Sequence, residues 1–212
     1  MIDTKQRVLD AAEQLFAAKG LGETSLRAIT AAGGVNIASI HYHFGSKDEL
    51  IRAVFLRRVG PLNARRLMLL ENVAAAYAPD PIPIETVLRC LVRPALELSK
   101  EAGGAVMGLM GRIFSEPRAS LMSVIKDLFA DTITRFVSAI KQACPHLDEG
   151  EVMWRLHFTI GAMAHAMAAV HLSNGEGPLP IHSNAEDLDA RVERLVRFCA
   201  AGFVVRADGG DT

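Results

Sequence analysis

A chain of 212 residues, half of them hydrophobic, is long enough for one large domain or two small ones. Its mean hydropathy of +0.21 comes from Ala, Leu, Val, Met and Ile rather than aromatics. That composition favours helices over sheets, and no run nears the ~20 apolar residues of a membrane span. The net charge of −1 hides an asymmetry: residues 1–66 hold 10 Lys and Arg against 6 Asp and Glu, whereas 67–212 hold 13 against 18. A basic end suited to a polyanion is thus joined to an acidic remainder.

MIDTKQRV has no apolar signal core, so a cytoplasmic protein is expected, with no membrane partner. Cys90, Cys144 and Cys199 are widely spaced and form no CxxC, which predicts reduced thiols rather than a disulfide or metal site. No catalytic motif is present (neither GxSxG, a Walker loop nor HExxH), so no enzyme and no cofactor are expected.

The periodicity predicts an all-α chain. A first helix over about 3–19 starts at Asp3 and Gln6 in capping-box spacing, lines one face with Val8, Ala12, Leu15 and Phe16, and ends at Gly20. Thr24 or Ser25 caps a short helix over 25–32 that stops at Gly33-Gly34. Asn36 caps another over 36–43. Ser46-Lys47-Asp48-Glu49 opens a long helix to about Tyr77, in which Pro61 should bend or interrupt the run. APDPIPI (78–84) reads as a linker. Helices follow at about 84–101, 103–115, 118–143, 149–172 and 186–206, with a loop at SNGEGPLPIHSNAED.

Two short helices around a glycine turn suit the reading of a DNA major groove, with 25–32 as the bracing helix and 36–43 as the reader. Gly34 falls where the turn needs a positive φ. Ile29, Val35, Ile40 and Phe44 have the spacing to pack the motif together. Of the outward residues, Ile37 and Ala38 suit thymine methyls, and Asn36 and Ser39 can bond base edges or phosphates. His41, Tyr42 and His43 along the rim, Lys47 at the next helix start, and Arg27 on the opposite wall are expected on phosphates. His41 and His43 point to different faces, which argues against a metal site.

Residues 4–55 resemble the N-terminal domain of the TetR family of bacterial transcriptional regulators. The resemblance is carried by Val8-Leu9-Asp10-Ala11-Ala12-Glu13-Gln14-Leu15-Phe16, Lys19-Gly20, TSLRAIT, the GVN turn and YHFGSKDEL. Two positions depart from the family pattern: His41 stands where tyrosine is usual, and Gly33 where alanine is usual. The resemblance implies a helix-turn-helix domain (residues 1–50), followed by a larger helical ligand-binding and dimerisation domain (51–212). It further implies a homodimer on a palindromic double-stranded DNA operator, repressing until a small apolar effector binds. Two half-sites ~34 Å apart multiply the limited specificity of one short helix. VNIASIHYHFGSKDELI is similar to a branch that answers fatty acids or acyl thioesters. A DNA-binding protein without an effector, and a metal-responsive regulator, are the alternatives.

In the remainder, Met107, Met110, Phe114, Met122, Phe129, Phe136, Trp154, Phe158, Met163 and Met167 form a methionine- and phenylalanine-rich set able to line an apolar pocket between helices. Arg112, Arg155, His157 and His165 are the polar candidates for its head group. His157 and His165 stand two turns (~11 Å) apart, too far to share a metal alone. TIGAMAHAMAAV (159–170), with Leu188, Val192, Leu195, Val196 and Phe203, is the expected four-helix dimer interface, burial within one subunit being the alternative.

Overall fold

The structure is a computed structural model describing residues 3–101, 109, 111, 119–169 and 187–206. Among the described residues are eight helices and no strand. They are α1 (Thr4–Lys19), α2 (Leu26–Gly33), α3 (Ile37–Phe44), α4 (Lys47–Tyr77), α5 (Ile84–Glu101), α6 (Ala119–Ala143), α7 (Glu149–Ala169) and α8 (Leu188–Val204). Of the helix expected over 103–115 residues 109 and 111 are described, and the loop at 173–186 lies outside the described residues. Pro61 does not interrupt α4, although its missing N–H leaves the Arg57 carbonyl without its helical donor. No described helix is long and apolar enough to cross a membrane.

The chain divides into two compact units. The first holds Met1–Pro61 and Ala102–Phe129, of which 109, 111 and 119–129 are described beyond α4. The division at Pro61 falls inside α4, and the first unit also takes in the start of α6. Its core joins Val8, Leu9, Ala12 and Phe16 of α1 to Ile29 of α2, Ile40 and Phe44 of α3, and Leu50, Val54 and Phe55 of α4. Leu109 is buried in the same core, with Ile125 and Leu128 of α6 packed against it. Each such buried side chain contributes about 1.5–3 kcal/mol.

One charged residue is part of this interior. Glu13 is 3% exposed, and its carboxylate takes Arg58 Nη2 at 2.6 Å and Nε at 3.0 Å, with Arg57 Nη2 at 2.5 Å. Arg57 Nη1 also reaches Asp10 at 2.6 Å. Burial alone would raise the Glu13 carboxyl, but hydrogen bonds from Arg58 and Arg57 outweigh it and hold the group below the usual carboxylate range. The cluster fastens α4 to α1.

The second unit holds Leu62–Glu101 and Ala130–Thr212. α5 packs on α7 and α8, and α7 on α8. Val152, Leu156, Thr159, Met163 and Met167 put one face of α7 inside. Val192, Val196, Cys199 and Phe203 do the same for α8. Arg89 grips Glu193 with Nε at 2.6 Å and Nη2 at 2.8 Å, and Arg93 pairs with Asp189, so α5 and α8 are joined by charge as well as packing.

A candidate nucleic-acid interface

The helix-turn-helix is built from local chemistry. Ser25 Oγ accepts the Ala28 N–H at 3.1 Å and caps α2. Gly34 then takes φ 59° and ψ 40°, the left-handed conformation, and its N–H closes back on the Ala31 and Thr30 carbonyls. An L-residue pays for that conformation, so Gly34→Ala is expected to lower stability by about 1 kcal/mol, read as a smaller urea midpoint at unchanged m. Gly33 answers a different need: a Cβ there would sit 3.3 Å from the Arg7 carbonyl oxygen of α1. Arg7 Nη1 also donates to the Gly34 carbonyl at 3.4 Å, tying α1 to the turn. Asn36 Oδ1 accepts the Ala38 N–H at 3.0 Å and starts α3. Ser46 Oγ accepts the Glu49 N–H at 3.1 Å and starts α4.

With Ile40 and Phe44 locked inward, the other side of α3 is set by helix geometry. Asn36, Ile37, Ala38, His41 and Tyr42 are exposed, Tyr42 at 85%, and Ser39 and His43 are half-buried. Arg27 is exposed on α2. The side chains are not all idle. The Asn36 carbonyl oxygen is spent on the cap, which leaves its NH2 to donate outward. His41 Nδ1 lies 3.1 Å from the Gly45 carbonyl; since that oxygen can only accept, the ring donates there and presents Nε2 to solvent. The Tyr42 ring stands edge-on to His43 at 5.0 Å. Lys47 Nζ donates to the Gly22 carbonyl at 3.2 Å, so it braces the α1–α2 loop beside the start of α4.

The residues expected around an effector belong to both units. Met107, Met110, Arg112 and Phe114 lie outside the described residues. Met122 is 39% exposed and Phe129 half-buried, both in the first unit. Trp154, His157, Phe158 and His165 belong to the second unit and face solvent, Trp154 at 59% and Phe158 at 63%. Within the subunit α7 turns its opposite face to the core, which carries these four outward. Arg155 is already bonded. Its Nη1 donates to the Gly202 and Val205 carbonyls at 2.7 and 2.6 Å and its Nε to Glu151 at 3.0 Å, closing the carbonyl end of α8.

Two family models cover most of this architecture. Residues 8–54 match that of "Bacterial regulatory proteins, tetR family". Residues 89–202, more than half of the chain, match that of the "Tetracyclin repressor-like, C-terminal domain". The chain belongs to the TetR family. Among curated relatives, it is 38% identical to the HTH-type transcriptional regulator AcrR of Shigella flexneri over 95 residues, 45% of this chain and 41% of that protein. It is 27% identical to the HTH-type transcriptional regulator UidR of Escherichia coli over 138 residues, 64% of this chain and 63% of that one. The match to SrpR of Pseudomonas putida spans 28% of either chain, so this chain covers less than two thirds of these relatives. Among solved structures, FadR from Bacillus subtilis in complex with stearoyl-CoA superposes with a TM-score of 0.68 at 13% identity, over 93% of this chain and 98% of that one. The SmeT–triclosan complex gives 0.65 at 20%, over 97% and 93%. Both likenesses are of fold.

This TetR-family chain carries two features that periodicity alone did not separate. Val192, Val196 and Phe203, expected between subunits, are buried within the second unit at 1% exposure or less, packed against α5 and α7. The exposed apolar side chains of α7 and α8 include Trp154, Phe158 and Phe198, the last 73% exposed. Trp154 and Phe158 stack at 5.7 Å. The second feature is Arg66, a buried arginine on α4 that reads in sequence as an ordinary surface residue. Among the described residues, no three His, Cys, Asp or Glu side chains gather as a metal site.

Proposed function

We propose that the protein is a homodimeric, ligand-responsive repressor that holds a palindromic operator with two copies of α3 and releases it when a small apolar effector binds the larger unit. The observation that carries the reading is the division of α3: Ile40 and Phe44 are immobilised in the core while Asn36, Ile37, Ala38 and Tyr42 stand open and Ser39 is half-buried. A rigid helix with exposed groups at its N-terminal turn suits a major groove. In this reading Asn36, Ile37, Ala38 and Ser39 meet bases, and Arg27, His41, Tyr42, His43 and Lys47 meet phosphates. Arg27→Ala is then expected to weaken every operator sequence alike. It should also flatten the plot of log K against log salt by about 1 for each half-site, measured by fluorescence anisotropy.

Dimerisation through α7 and α8 is supported by the open aromatic face and by two glycines. Gly161 and Gly202 are helical and exposed, and a Cβ on either would meet nothing within 4 Å. Helix-interior glycine costs about 1 kcal/mol against alanine, so its presence serves a close approach by something outside the subunit, which a second copy supplies. The effector reading draws on the stearoyl-CoA and triclosan named with the two neighbours, and an acyl chain suits the apolar second unit. Linkage requires the effector to bind the DNA-competent and incompetent forms unequally. α4 contributes residues to both units, from Leu50 beside α3 to Arg66. An operator complex that survives saturating concentrations of acids, thioesters and neutral apolar compounds alike would remove the effector half of the proposal.

A further inference from the structure

Arg66 is a buried charge of the second unit that pairs with no carboxylate among the described residues, and nothing in the DNA-reading surface uses it. It is 3% exposed. Nε donates to the Leu91 carbonyl at 2.9 Å, Nη1 to Asn63 Oδ1 at 3.2 Å and Nη2 to Met163 Sδ at 3.5 Å. All three acceptors are neutral. Arg65, Arg89, Arg93, Arg135 and Arg155 in the same unit each face a carboxylate. Among the described residues Arg66 faces none, and burial pushes its pKa down to about 10, so it stays charged at neutral pH.

One of the three bonds has a structural reason. Pro94 has no N–H for the Cys90 carbonyl, so this turn of α5 lacks a helical hydrogen bond beside the Leu91 carbonyl that Nε serves. The Nη edge has no such reason. A guanidinium has five N–H groups, and here, among the described residues, two have no bond while a third rests on a thioether, a weak acceptor. A buried ion costs several kcal/mol unless an opposite charge and full hydrogen bonding offset it.

We infer that Arg66 is the anchor for an effector with a carboxylate head group, which takes the Nη1–Nη2 edge as a bidentate pair and displaces the thioether of Met163. The inference rests on the ligand-responsive reading and gives it a head group. Planar carboxylate matches the guanidinium fork, and Met163 with Met167 one turn further along α7 gives the adaptable apolar wall that the rest of such a molecule needs.

The test is isothermal titration of the full-length protein with benzoate, octanoate and dodecanoate, each beside its methyl ester. Charge-assisted bonds predict that at least one acid binds about 10- to 100-fold tighter than its ester. Arg66→Met should reduce that acid to the level of its ester, and Met163→Leu should keep the acid's advantage. Acid and ester binding equally to the unaltered protein overturns the anchor even if no variant folds. So does Arg66→Met retaining the preference, or binding by neither form. Operator release by the ester alone would overturn the anchor while leaving the effector reading intact.

Discussion

Phe158→Asp is expected to leave the chain folded but monomeric, and to lower operator affinity by about 100-fold or more. Phe158 stacks on Trp154, and Phe198 of α8 is also open, yet none of the three supports the subunit's own core. Its replacement therefore costs the monomer little. In an interface, aromatic residues at the centre carry most of the binding energy, and a buried unpaired carboxylate there is prohibitive. Operator affinity falls because the second half-site contact becomes intermolecular again, and linked sites gain ~10²–10⁴ in avidity. Sedimentation equilibrium and anisotropy on the same preparation read both effects. A dimeric Phe158→Asp protein would move the interface away from α7.

Glu13→Ala is expected to destabilise the protein by about 3 kcal/mol, a fall in Tm of roughly 6–12 °C, seen by differential scanning calorimetry. Glu13 is buried against Arg57 and Arg58, and its removal leaves two guanidinium groups facing each other across a space lined by α1. Their side chains keep 20% and 35% exposure, so solvent screens part of the cost and the figure stays at the low end for a broken buried pair. The same group sets an acid limb. Its folded pKa lies below the unfolded value, so its contribution is complete above the unfolded carboxylate range of about 4.3 and is lost as pH falls through the folded value. Glu13→Gln should flatten the fall in stability as pH drops below the unfolded carboxylate range. An unchanged acid limb would place the dominant carboxylate elsewhere.

What was legible in the sequence was what is local. Ser25, Gly34, Asn36 and Ser46 act within three or four residues of themselves, so cap and turn chemistry placed α2, α3 and the start of α4 within a residue or so. The buried face of α3 followed from spacing alone. Glu13 had a signal: it lies four residues after Leu9 and three before Phe16, on the apolar stripe of α1, where a carboxylate needs partners. Its partners, Arg57 and Arg58, are over forty positions away and could not be paired by pattern.

α8 shows a second limit. Val192, Val196 and Phe203 form an apolar stripe, and periodicity marks a stripe without saying whether its own subunit or another covers it. Three-dimensional packing made those residues core and left Phe198 open. Arg66 was illegible for the same reason. Its surroundings come from Leu91 and Met163, 25 and 97 positions away, and an arginine on a helix is ordinarily solvated.

The measurement closest to the central claim is a titration of the purified protein against labelled DNA flanking its own gene, at low salt. It would be run beside an Ala38→Asp variant, which leaves the buried face of α3 untouched. The account predicts a saturable, sequence-selective complex that weakens steeply with added salt and is lost in the variant. No complex at low salt, or equal binding by the variant, would contradict α3 as the DNA-reading element.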